Sequence, residues 1–153
     1  MGVIEELNDR IENGIPALIN RAIQPSFTWE TVVGYLQHCA DNEVGEPISI
    51  MSYKLPAAEQ IDSIRPVMEY LNEHLNVEII GADLYPSFTT KADSKYASQT
   101  DVIIWNVIGH SEFSINGNER LVEPGDLIYI PADSEYVFKA TQSRAYVVFG
   151  IQK

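Results

Sequence analysis

Hydrophobic positions along this chain recur every three or four residues as far as about residue 76 and every second residue after it. The first interval is that of a helix with one buried face, the second that of a strand. In the first stretch, about residues 2–12, Ile4, Leu7 and Ile11 fall on one face, and Gly14 and Pro16 close the helix. Residues 16–19, Pro-Ala-Leu-Ile, predict a short strand. Thr28 can cap a second helix, whose apolar stripe is Trp29, Val32, Val33, Leu36 and Ala40, with Cys39 at its border. Residues 47–53 predict one strand, and a third helix follows with Pro66 in its first turn and Val67, Tyr70, Leu71 and Leu75 on its inner face.

From residue 77 the alternation predicts strands over 77–80, 101–108, 112–115, 127–130, 136–139 and 145–151. Short strands separated by turn residues imply an antiparallel sandwich or barrel. Asn116-Gly117 marks a tight hairpin, because a type I′ turn needs positive φ at both positions. No repeat, low-complexity tract or linker separates the halves. One mainly β domain over 1–153 is expected, with the helices of 1–76 packed outside a barrel core of 77–151 and with residues 16–19 and 47–53 adding strands.

Composition narrows the function classes. With 10 basic residues against 22 acidic, the formal charge is −12, a field that repels phosphate backbones and anionic lipid. Neither nucleic acid nor a membrane is expected as a partner. No apolar run approaches the ~18 residues of a membrane span, and no signal peptide is visible. Cys39, having no second cysteine to pair with, fits a reducing compartment, so the cytoplasm is the expected location. A buried apolar role suits it better than a nucleophilic one, since no base or electropositive neighbour is apparent. His38, His74 and His110 lie too far apart in sequence to form a local ligand pair. His38 is expected to be exposed, His74 to sit at a helix boundary or cap, and His110 at a hairpin end. Gly-rich phosphate loops, Gly-x-Ser-x-Gly elbows, Cys-x-x-Cys pairs and calcium loops are absent from the sequence.

The most specific stretch is Glu123-Pro124-Gly125-Asp126-Leu127-Ile128-Tyr129-Ile130-Pro131-Ala132-Asp133-Ser134-Glu135-Tyr136, which resembles the second cupin motif. Asp101 to Gly109, with the Asn-Gly hairpin after it, resembles the strand and glycine turn of the first motif. Gly14 to Ile19, Phe27 to Leu36 and Ala82 to Pro86 extend the likeness to the JmjC-like, ribosomal-oxygenase-like cupins over roughly residues 13–150. The resemblance implies a double-stranded β-helix, or jelly-roll, barrel. In those oxygenases iron sits on a His-x-Asp pair and a later His, with positions left open for 2-oxoglutarate and oxygen. Carried onto this chain, the three ligands fall on Tyr96, Ser98 and Tyr136. A phenol with pKa near 10 and a serine hydroxyl are protonated at neutral pH and bind ferrous iron poorly. The alternative alignment to the general motif, with Asp101 in the place of its glutamate, puts Lys95 and Ala97, or Ser94 and Tyr96, where histidines belong. Neither alignment leaves a metal site, so no cofactor is expected; a metal, if held, would be iron or another divalent transition metal. Asp133 stands where the motif has glycine and tolerates a left-handed turn.

Alternation sets Asp101, Ile103, Trp105 and Val107 on one strand face, which the resemblance turns inward toward Tyr96, Ser98 and Tyr136. Those rings can fill the barrel, as in other small barrels, or line a pocket for a small, partly apolar ligand. A buried Asp101 would need a donor, which Tyr or Trp can supply. Three classes follow: a metal-free cupin that binds a small molecule or forms a homodimer; an oxygenase-like, 2-oxoglutarate-dependent enzyme with an atypical metal site; and a metal-free enzyme using Tyr96, Tyr136 or Asp101 as acid and base.

Overall fold

The computed structural model describes all residues but 1, 50, 90–92, 98 and 141, and the side chains at 49, 93–96 and 140 are likewise outside the description. Each helix forms where an end signal meets an apolar stripe. Helix α1 (Val3–Asn13) buries Leu7 and Ile11 and stops at Gly14, whose φ of +63° turns its N–H back to the carbonyls of Arg10 and Ile11. Helix α2 (Trp29–Asp41) starts at Thr28, whose side chain accepts from the Thr31 N–H. Its buried stripe is Val32, Tyr35 and Cys39, whereas Val33 and Ala40, expected inward, are exposed. The stripe is rotated because Tyr35 anchors it, its hydroxyl lying 2.6 and 2.9 Å from the carbonyls of Pro56 and Ala57. Helix α3 (Arg65–His74) carries Pro66 in its first turn and buries Leu71, while Tyr70 is exposed rather than inward.

The described strands are β1 (Ala17–Ile19), β2 (Glu46–Ser49), β3 (Ser52–Lys54), β4 (Glu78–Ser87), β5 (Asp93–Ala97), β6 (Val102–Ile108), β7 (Ser111–Ile115), β8 (Asn118–Val122), β9 (Leu127–Ile130), β10 (Glu135–Ala140) and β11 (Arg144–Gln152). They pair antiparallel in two sheets, one in the order β1-β9-β6-β11-β4-β3-β2 and the other β5-β10-β7-β8. The stretch 47–53, expected as one strand, folds into the hairpin β2–β3, with Met51 in the turn at φ +59°. Strand β4 runs through Ser87 instead of stopping at 80, because Ala82 and Leu84 continue the buried face past Asp83. Strand β5 was not expected, since its polar run Asp-Ser-Lys has no apolar alternation.

Two cores result. Between the larger sheet and the helices lie Leu7, Val32 and Leu71 against Ile103, Trp105, Tyr129 and Phe149. Between the two sheets lie Val102, Ile104, Ile128 and Ile130 against Phe113, Tyr136, Phe138 and Tyr146. Strand β6 is therefore buried on both faces, and the face carrying Ile103, Trp105 and Val107 points at the helices, not into the barrel. Alternation separates two faces without saying which is inner, and here the expected inner face is the outer one. Trp105 is completely buried there, its Nε1 donating to the Ile23 carbonyl at 2.9 Å and its ring edge-on to Phe27.

The turn before β9 is held by Asp126, whose carboxylate accepts from the N–H groups of Arg21 and Glu123, both at 2.8 Å. Gly125 sits in this turn at φ +100°, and the turn after β9 contains Asp133 at φ +64°, the left-handed conformation expected of it. Asn116 and Gly117 both have positive φ at the β7–β8 hairpin.

Candidate functional site at the barrel mouth

A column of stacked rings occupies the barrel. Phe138 stacks on Tyr146 at 4.6 Å between centroids, and Tyr146 stacks on Tyr85 at 5.2 Å. Phe113 tilts onto Phe138 at 5.1 Å and onto Tyr136 at 6.0 Å. The Arg144 guanidinium, at the start of β11 and almost completely buried, lies 6.0 Å from the Phe138 centroid. Strand alternation produces the column, since Tyr85 and Tyr146 are directly opposed across β4 and β11 while Phe113 and Phe138 are opposed across β7 and β10.

At the end of the barrel where β6 begins and β11 ends, the rings give way to a cleft of about 280 Å³. Its walls include Lys54, Asp83, Tyr85, Val102, Tyr136 and Val148. Asp83 is opposed to Val148 and lies two residues before Tyr85 on β4, so its side chain shares the barrel-facing side. Burial raises its pKa above the ordinary carboxylate range; Lys54 opposes the shift, and Glu59 and Glu46 add to it. Sequence reasoning missed Lys54, Asp83 and Tyr85. The available signal was the sequence Ala82-Asp83-Leu84-Tyr85, in which an acid alternates with core residues inside a strand. A second cleft, of about 330 Å³, opens between β1 and the β7–β8 hairpin, with Leu18, Phe113, Ile115, Asn118, Arg120 and Ile128 among its walls. It is mainly apolar and lacks the two opposite charges of the mouth.

Of the residues singled out from sequence, Tyr136 lines the mouth, and the backbone of Tyr96 is directly opposite it across β5 and β10. The Tyr96 side chain and the whole of Ser98 fall outside the described residues. Asp101 points away from the barrel interior. It accepts from the Tyr129 hydroxyl at 2.5 Å and the Ala132 N–H at 2.8 Å, and pairs with the Lys153 ammonium at 3.0 Å. Burial disfavours its charged form, yet those three partners outweigh it and hold the carboxyl below its ordinary range. Ile103 and Trp105 belong to the helix-facing core and do not line the cleft. His38, His74 and His110 are exposed, and a ring nitrogen of His74 lies 3.0 Å from the Tyr70 carbonyl at the end of α3.

Among the described residues no three of His, Cys, Asp and Glu are grouped so as to hold a metal ion. The donor set that the sequence alignment assigns, two phenols and a serine hydroxyl, does not fit ferrous iron either. All three groups bind it well only after losing a proton that they keep at neutral pH.

No protein-family model matches the sequence, and no curated protein matches it significantly. Solved structures do match by shape. The ribosomal oxygenase YcfD from Escherichia coli, in complex with cobalt and succinic acid, superposes with a TM-score of 0.76 over 95% of this chain at 15% identity. The chain has a cupin fold. A second cupin, the salicylate 1,2-dioxygenase of Pseudoaminobacter salicylatoxidans, aligns with a TM-score of 0.55 over 81% of this chain and 32% of its own at 11% identity. The chain spans only about half, 51%, of the YcfD chain it matches. Both neighbours are oxygenases by name, and at these identities the likeness is one of fold. No described helix is long and apolar enough to cross a membrane.

Proposed function

We propose that this cupin works without a catalytic metal, as a module that binds a small molecule in the mouth cleft and associates with a second copy of itself. The observation that carries this reading is the occupancy of the barrel by its own rings. Tyr136, at the position of the later metal ligand, is buried against Phe113 and Phe138, so that the barrel centre is packed and open space lies beyond it, in the mouth and in the apolar cleft beside β1. A cleft near 280 Å³ lies at the small end of ligand sites, and its polar groups converge from three strands. The acidic charge of −12 speaks against nucleic-acid and anionic-membrane partners, and a single, buried Cys39 suits the cytoplasm.

The oxygenase reading draws on YcfD, a ribosomal oxygenase whose structure is also known with cobalt and 2-oxoglutarate. Here it would have to run on a donor set that does not fit iron. The acid–base reading loses Asp101, whose carboxylate is committed to Tyr129, Ala132 and Lys153 on the far side of β6. Elemental analysis of untagged protein is expected to find well under one equivalent of iron, nickel, zinc or manganese. Stoichiometric metal would put the oxygenase reading first. Tyr96→His, Ser98→Asp and Tyr136→His made together are expected to confer weak nickel or ferrous binding, because the register sets positions 96 and 136 directly opposite. A folded triple variant that stays empty would overturn this placement of the three positions.

A further inference from the structure

The mouth cleft holds one ammonium and one carboxylate that do not satisfy each other. Lys54 and Asp83 line the same space, yet the only ion pair of Lys54 among the described residues is with Glu46, at 3.9 Å on the protein surface. The Asp83 carboxylate makes no ion pair within 4.0 Å and no hydrogen bond among the described residues, although the residue is half-buried. The register explains the gap. Ser52 opposes Ser87 and Leu55 opposes Leu84 between β3 and β4, which sets Lys54 across from Tyr85 and diagonal to Asp83. Side chains in that relation share a face, with about 7–8 Å between the residues.

We infer that the cleft takes a small zwitterion of the α-amino-acid type, its carboxylate on Lys54, its ammonium on Asp83 and its apolar side chain against Val102, Tyr136 and Val148. The inference rests on the reading of the mouth as the ligand site. The two charges stand more than 4.0 Å apart on one face, which leaves room for an amino-acid head group to bridge them through two charge-assisted hydrogen bonds of about 2.8 Å each. Charge balance selects the class. An acid would cover Lys54 and strip water from Asp83 without giving it a partner, and an amine would leave Lys54 only its long pair with Glu46, whereas a zwitterion pairs both. The raised pKa of Asp83 agrees, since burial is its first cause and a bound ammonium would restore the carboxylate. Gly150, paired with Gly81 across β4 and β11 just beyond Asp83, lines the same cleft and places no side chain beside the carboxylate.

The test is calorimetric titration with two series: L-leucine, isopentylamine and 4-methylpentanoate, then L-phenylalanine, phenethylamine and 3-phenylpropanoate. In at least one series the amino acid is expected to bind at least tenfold more tightly than either singly charged analogue. Lys54→Met should remove its advantage over the amine, and Asp83→Asn its advantage over the acid. An amine or acid that binds as tightly as its parent amino acid in both series overturns the zwitterion while leaving the mouth a ligand site. Failure of all six compounds overturns it as well. A fragment screen by NMR then separates the two readings: shifts confined to Val102, Tyr136 and Val148 keep the mouth as the site, and their absence with every fragment removes that too.

Discussion

Among single residues, Asp101 has the clearest energetic role. It ties the start of β6 to Tyr129 on β9, to the Ala132 backbone after β9 and to Lys153 after β11, so that one carboxylate joins three neighbouring strands of the larger sheet. Because its folded pKa lies below the ordinary value, its stabilisation is complete above about pH 4 and is lost as pH falls through the folded value. Asp101→Asn is expected to cost about 1.5–3 kcal/mol at pH 7, the range for hydrogen bonds to a charged group. Urea melts at stepped pH should show the gap between wild type and variant constant from pH 7 to 5 and narrowing below pH 4. A gap unchanged down to pH 2.5 would mean that the carboxylate charge contributes nothing. The need of a buried Asp101 for a tyrosine or tryptophan donor was legible in the sequence, and Tyr129 is that donor. The direction of its side chain was not, because Asp101 and Trp105 lie on a strand with protein on both sides.

At the scale of elements, what local chemistry dictates was readable and what packing dictates was not. Thr28 capped its helix, Asn116-Gly117 made its hairpin and Asp133 took its left-handed turn, each by interactions within a few residues. The inner face of β6, the rotation of α2 about Tyr35 and the strand Asp93–Ala97 depend on partners far along the chain. The mouth followed the same division: Tyr136 was visible through the motif, but Lys54 and Asp83 meet only when β3 pairs with β4. The two turn glycines flanking β7 test the distinction between local and long-range demands. Gly117, at φ +83°, has open space around a Cβ, so Gly117→Ala should cost only the left-handed strain of about 1–2 kcal/mol. Gly109, at φ +79°, would push a Cβ to 2.4 Å from the Ser143 carbonyl oxygen, and its own carbonyl accepts from Asn106. Gly109→Ala should therefore lose at least about 2 kcal/mol more than Gly117→Ala, since the β10–β11 connection must shift. Equal losses in thermal melts of the two variants would show that the Ser143 backbone yields freely.

For the whole molecule the open question is what covers the edges of the sheets. Of the four, β1 is three residues long and follows Pro16 and β2 contains Pro47, features that discourage further pairing, while β5 is followed closely by the turn into β6. The fourth, β8, has no proline, pairs only with β7 among the described strands, and leaves Leu121 55% exposed. Antiparallel pairing of β8 with the same strand of a second copy would continue the smaller sheet and close on a two-fold axis. Each copy brings a charge of −12, so bulk repulsion opposes the contact and salt should favour it. Light scattering at high micromolar concentration is expected to show a dimer whose fraction rises from 0.05 to 0.5 M sodium chloride, an ionic range over which screening of about 10 Å shortens severalfold. Leu121→Lys should shift the protein to monomer, while Ile80→Lys, equally exposed at 54% but on the β4 side of the barrel, should leave the dimer intact. A monomer at every salt concentration would rule out self-association. A dimer sensitive to Ile80→Lys and indifferent to Leu121→Lys would move the interface from the β8 edge to the larger sheet, beside the mouth where Asp83 and Gly150 lie.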